Sequence, residues 1–167
     1  MVFSRNKTGF LICGLLLSSS LYAAPVSDIY HTSLAILSYA KWPTNTPEIC
    51  VVNNNPFAQQ LKNNLPADSP YKVSNKHSSE LRSSNCTVLF FSNLSDKEEQ
   101  NILNTAVNYP ALSISSNNLN CETGSAFCLY KKNQSYAFKV NMESLTQSKI
   151  HIDPRVLMLA KPAESNP

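Results

Sequence analysis

The chain is 167 residues long and 43% hydrophobic, with 14 basic side chains against 11 acidic ones. That length suits one domain able to bury a core of its own. The formal charge of +3, spread without a long basic run, excludes nucleic acid and acidic membrane surfaces from the expected partners.

Arg5 and Lys7 precede the apolar run 10–17, and small residues follow as far as Ala24. A basic start, an apolar stretch of roughly 7–15 residues and a small-residue exit form a secretory signal. Residues 1–23 are therefore expected to be cleaved, after Ala23 in preference to Ala24. The apolar run falls short of the roughly 20 residues a spanning helix needs. Ile12 is too bulky for a lipobox ahead of Cys13, so Cys13 leaves with the signal. Twelve basic and eleven acidic residues remain, a balance of +1. No second apolar run of spanning length follows, so no membrane insertion is expected after cleavage.

Ser27 and Asp28 are helix starters. From Ile29 the spacing of Ile29, Ser33, Ile36 and Ala40 predicts an amphipathic helix, ending near 41–43 because Pro43 disfavours helix at Trp42. Residues 48–53 form a β-rich run, and the turn after them leads to a helix with Pro56 in its first turn and Phe57, Leu61 and Leu65 at helical spacing. A weak strand is expected at 71–73 and a helical turn at 80–84. Residues 86–92, CTVLFFS, are apolar on both faces and predict a central strand. Ser95 and Glu98 form a capping box for a helix with Ile102, Leu103 and Ala106 inward. A strand at 111–115 follows. Strands at 126–130 and 136–141 make a hairpin around KKNQS. A short helix is expected over 142–148. Asp153 as N-cap and Pro154 at the first position open a last helix.

Strands that alternate with helices early, with a hairpin closing late, predict a single α/β domain over 24–161. The expected fold is a mixed sheet covered by helices on both faces, a three-layer sandwich, with a loose tail at 162–167.

Cys50, Cys86, Cys121 and Cys128 remain after cleavage, an even number in an exported chain, which reads as disulfides. Four cysteines allow three pairings. Cys121 and Cys128 flank ETGSAF, a plausible turn, which pairs them with each other and leaves Cys50 with Cys86. There is no CxxC, and no His lies at ligand spacing from a Cys, so no metal is expected.

No catalytic constellation rises from the sequence. His31 lies on an amphipathic helix, His77 in a polar loop and His151 before Ile152-Asp153-Pro154. Surface or structural roles are the default for all three, although a spatial triad needs no local motif. GxSxG is absent. Gly9 and Gly14 belong to the signal, which leaves Gly124 as the last of three glycines and makes phosphate-cradling loops implausible. Glu98 and Glu99 are expected on an exposed helix face as solvated charge. Asn85, Asn93 and Asn133 begin Asn-X-Ser/Thr sequons, relevant only in a eukaryotic source. These features favour a binding or regulatory module, without a cofactor, over an enzyme such as a small hydrolase or over a small-ligand sensor.

ILSYAKWP at 36–43, EICVVNNNPFAQQL at 48–61, CTVLFFSN at 86–93, the stretch 121–148 and IHIDPRVLMLAK at 150–161 together resemble the YfiR family, most nearly its HmsC-type branch. Members are periplasmic repressors of an inner-membrane diguanylate cyclase. The resemblance implies a periplasmic protein that binds the cyclase's outer sensor domain and limits cyclic-di-GMP, exopolysaccharide and biofilm. It implies release by an outer-membrane, peptidoglycan-associated-type lipoprotein and by redox stress acting on the pairs Cys50–Cys86 and Cys121–Cys128. It also implies a homodimer. Partner contacts in the family concentrate on a C-terminal hydrophobic patch, and the matching positions are Phe127, Lys139, Leu145, His151, Ile152, Pro154 and Leu157. Lys139 stands where relatives can carry an acid, and His151 where a base can occur. Phe127, Leu145, Ile152 and Leu157 also have the period of core residues. Trp42 suits either a cap on the first helix or an interface.

Overall fold

The computed structural model describes residues 28–160, so the expected signal segment and the tail lie outside the described residues. Asp28 caps helix α1 (Ile29–Leu37) by accepting the His31 N–H at 2.8 Å. The helix stops before the expected end near 41–43. Residues Ala40–Lys41 become strand β1 instead, paired antiparallel with strand β8 (His151–Ile152) far along the chain. Tyr71 closes the helix end, its hydroxyl donating to the Leu37 carbonyl at 3.0 Å while accepting Trp42 Nε1–H at 3.1 Å.

Strand β2 (Glu48–Val52) leads to helix α2 (Asn55–Asn63), where the Asn54 side chain caps Phe57 N–H and Pro56 sits in the first turn. Strand β3 (Lys72–Lys76) extends beyond the expected 71–73, and a 3₁₀ turn (Ser78–Ser83) follows it. Strand β4 (Val88–Phe91) is buried at all four positions. Helix α3 (Asp96–Thr105) carries the expected Ser95–Glu98 capping box. Strand β5 (Leu112–Ser115), the hairpin β6 (Phe127–Lys132) and β7 (Ser135–Val140), helix α4 (Met142–Gln147), strand β8 (His151–Ile152) and helix α5 (Val156–Leu159) complete the chain.

Six strands form one mixed sheet in the order β3-β2-β4-β5-β6-β7, parallel except for the β6–β7 hairpin. The period-2 alternation of β2 and β4 sorts side chains to two cores. Ile49, Val51, Val88 and Phe90 join Ile36, Leu37 and Leu61 of α1 and α2 on one face. Cys50, Val52, Leu89 and Phe91 join Leu81, Ile102 and Leu103 on the other. This is the expected α/β fold, a mixed sheet flanked by helices, with β4 central.

The step from β5 to β6 joins parallel strands without a helix. A parallel return normally takes a dozen or more residues. Here β6 starts beside the end of β5, with Ile114 opposite Phe127 and Ser115 opposite Cys128, so the loop 116–126 suffices. The Cys121–Cys128 disulfide ties that loop to β6, and Cys50–Cys86 ties β2 to the approach to β4.

The last helix differs from its expected start. Asp153 accepts the backbone N–H of Arg155 at 2.9 Å and its guanidinium at 2.6 Å. A carboxylate bonded in this way to the N–H and guanidinium of a residue two positions on braces a turn. Asp153 is therefore a turn residue, and α5 begins only at Val156 without a side-chain cap.

Candidate partner-binding surface

The C-terminal segment is fixed at two points. The β1–β8 ribbon sets Ala40 opposite Ile152 and Lys41 opposite His151, and the Asp153 N–H continues it to the Tyr39 carbonyl at 2.9 Å. Farther along, Val156 is buried in the core that α1 and α2 share. Between them the Asp153–Arg155 pair shapes the turn, and the arginine holds the Asp153 carboxyl down to about 2.

The residues that follow are apolar yet face solvent. Leu157, Met158 and Leu159 are 46%, 72% and 42% exposed, and among the four residues of α5 only Val156 is buried. A helix apolar on every side normally sits inside a protein. Contiguous exposed apolar residues rimmed by polar ones mark interaction sites. Lys41, His151 and Arg155 supply that rim, all of them exposed.

The sequence-derived positions fall into three places. His151, Ile152, Pro154 and Leu157 share this one segment, with Ile152 half-buried against the core and the other three more open to solvent. Lys139 stands apart on β7, donating to the Leu119 carbonyl at 2.8 Å and lying 5.8 Å from the Tyr130 ring centre. Phe127 is fully enclosed, edge-on to Phe138 at 5.6 Å, and Leu145 is half-buried against the same core. Trp42 serves α1 as a cap through Tyr71 and remains half-buried.

Sequence reasoning missed Met158 and Leu159, and also the exposed Leu119 and Met142. It also misplaced Glu99. Glu98 is exposed as expected, whereas Glu99 is completely buried, bound by Ser115, Ser125 and Asn118. The signal was present in the spacing: Glu99 precedes Ile102, Leu103 and Ala106 by three, four and seven residues, which is the inward stripe of α3.

All four cysteines are buried and paired as their spacing predicts, Cys50 with Cys86 at 2.00 Å and Cys121 with Cys128 at 2.07 Å. The three histidines sit on separate elements: His31 in the first turn of α1, beside Asp28 at 3.0 Å, His77 before the 3₁₀ turn, and His151 on β8. Among the described residues no group of three or more His, Cys, Asp and Glu side chains could hold a metal ion. No described helix is long and apolar enough to cross a membrane. A polar, solvent-open cavity of about 580 Å³ lies at the amino ends of the parallel strands, where Glu48, Lys72, Asn85, Cys86, Asn108 and Tyr109 line it.

The family model for YfiR/HmsC-like proteins matches residues 31–161. The chain belongs to the YfiR/HmsC-like family. The match spans every described helix and strand but the first two residues of α1, and it includes the four cysteines and the apolar C-terminal helix. Membership in the YfiR/HmsC-like family points to a periplasmic regulator of cyclic-di-GMP signalling.

Proposed function

We propose that this protein is a non-catalytic periplasmic repressor that binds the outer sensor domain of an inner-membrane diguanylate cyclase and holds the enzyme inactive. The observation that carries the reading is the exposed apolar face of α5, Leu157, Met158 and Leu159, anchored by Val156 and the β1–β8 ribbon. A rigid mount lowers the ordering cost of binding, since little side-chain freedom is left to lose. His151, Ile152 and Pro154 extend the same surface, while Phe127 and Leu145 support it from the core. Lys139 forms a second contact point on β7. Its ammonium sits where relatives can carry an acid, so the matching partner group is an acceptor or an acid rather than a base.

In this reading an outer-membrane lipoprotein of the peptidoglycan-associated type sequesters the protein, and cyclase activity rises. Cleavage after Ala23 delivers the mature chain to the periplasm, where both disulfides form. The four buried sulfurs make the bonds structural, and reduction acts by loosening the fold rather than by exposing a reactive thiol.

Deletion of the gene is expected to raise intracellular cyclic-di-GMP and biofilm; unchanged levels of both would sink the repressor reading. Leu157→Asp and Met158→Asp are expected to derepress the cyclase in cells and to lose binding to its purified sensor domain, while far-UV circular dichroism stays native. Native binding by both variants would place the interface elsewhere.

A further inference from the structure

Among the described residues Glu99 is the only buried charged side chain. It carries no ion pair there. Its carboxylate accepts the Ser115 hydroxyl from the end of β5, and the Ser125 hydroxyl at 2.9 Å and Ser125 N–H at 3.3 Å from the loop 116–126. The Asn118 side chain completes the set. These partners organise the loop itself. The Ser115 hydroxyl accepts the N–H groups of Asn117 and Asn118 at 3.1 and 3.0 Å, and Asn118 spans from the Cys121 N–H to the Thr123 carbonyl.

Gly124 shows how closely the loop is drawn onto the carboxylate. Its φ of +87° is one that glycine adopts without strain, and a Cβ there would stand 2.9 Å from Glu99 Oε2 and 3.0 Å from Asn118 Nδ2. Gln100 Oε1 accepts its N–H, and the Ser144 hydroxyl of α4 donates to its carbonyl, each at 2.7 Å. The loop is thus docked on α3 largely through one carboxyl group.

We propose that Glu99 is a proton-operated latch on the disulfide loop 116–126, holding the loop against α3 when protonated and weakening that hold when it releases its proton to water. A neutral carboxyl keeps its partners, because the serine hydroxyls rotate and its own O–H replaces one donor. An ionised one gains by moving into solvent, which requires the loop to lift. The charged groups on the packed elements are Asp96, Lys97 and Glu98 on α3, Glu122 in the loop, Glu143 on α4 and Lys139 on β7. None of them pairs with Glu99, and Lys139 is engaged with the Leu119 carbonyl. Burial pushes the Glu99 carboxyl up from 4.5 to about 6, outweighing its hydrogen bonds. The loop also presents Leu119, 62% exposed, beside Lys139, so the latch controls the shape of that surface.

The latch is independent of the repressor reading, since it is tested on the isolated mature protein. Amide hydrogen exchange between pH 5 and 8, corrected for intrinsic rates, reads the loop directly. Protection at Gly124 and Ser125 is expected to fall with rising pH, by about 8-fold between pH 5 and pH 8 for a pKa raised from 4.5 to about 6. Glu99→Gln, which cannot ionise, is expected to hold the loop protected across the range. Flat protection in the unmodified protein, or the same pH dependence in Glu99→Gln, overturns the latch. If that variant misfolds, a carboxyl-carbon titration of Glu99 in the unmodified protein decides: a midpoint near 6 supports the latch, and one at 4.5 or below overturns it.

Discussion

Glu99 and Gly124 together show how one residue's chemistry constrains another across 25 positions of sequence. A buried carboxylate is costly unless neutral donors surround it, and the donors here arrive on a loop that only a glycine lets come close enough. The pH dependence follows with a definite sign. The folded-state pKa is raised above the unfolded value, so the folded protein binds this proton more tightly. The stabilising contribution is full below pH 4.5 and is lost as pH rises through about 6. A tenfold change in proton affinity corresponds to roughly 1.4 kcal/mol, so about 2 kcal/mol separates the two limits. Urea unfolding at about pH 5 and about pH 7.5 should show the unmodified protein losing about 1 kcal/mol relative to Glu99→Gln, because pH 5 already lies above the unfolded value. Equal losses in both proteins would assign the pH effect to another group.

At the scale of elements, the hairpin and α5 each carry apolar residues at the spacing of a core face, with opposite fates. Phe127 on β6 is sealed between the sheet and Phe138, whereas Leu157 on α5 is 46% exposed. Phe127→Ala is expected to cost roughly 3–5 kcal/mol through lost burial and a cavity. Leu157→Asp is expected to change stability by less than about 1 kcal/mol, because it removes little buried area. Thermal unfolding of the two variants tests this contrast, and a Leu157→Asp loss as large as that of Phe127→Ala would place Leu157 in the core. Sequence period alone could not separate them. Periodicity reports which residues share a face, not whether another element covers that face.

Element boundaries tell the same story. Local chemistry announced the Asp28 cap, the Ser95–Glu98 capping box and the turn of the hairpin, and each stands where the residues required it. The end of α1 and the start of α5 did not. One is set by the pairing of Ala40 and Lys41 with Ile152 and His151, more than a hundred residues away, and the other follows a turn in which the Asp153 carboxylate holds both the N–H and the guanidinium of Arg155. The first of these partner choices is not written in the neighbouring residues.

For the whole molecule, the disulfides join regions that the sheet already brings near. Chain-entropy reasoning gives roughly 4 kcal/mol for the Cys50–Cys86 loop and about 2.5 kcal/mol for the shorter Cys121–Cys128 loop. Replacing Cys50 and Cys86 together by serine is expected to destabilise the protein more than replacing Cys121 and Cys128 together, as measured by denaturant midpoints. Non-reducing mass spectrometry of exported protein should find no free thiol. Two free thiols would refute one pairing as a standing bond, and four would refute both.

The sequence by itself determined the class of the fold, the pairing of the cysteines and the family, because these rest on local period, short loops and the order of motifs along the chain. Only the tertiary structure decided that Glu99 is buried, that β1 and β8 form a ribbon, and that Leu157, Met158 and Leu159 are left facing solvent. Burial is a property of what lies opposite a residue in space. The chain specifies that only through the packing of all its elements at once.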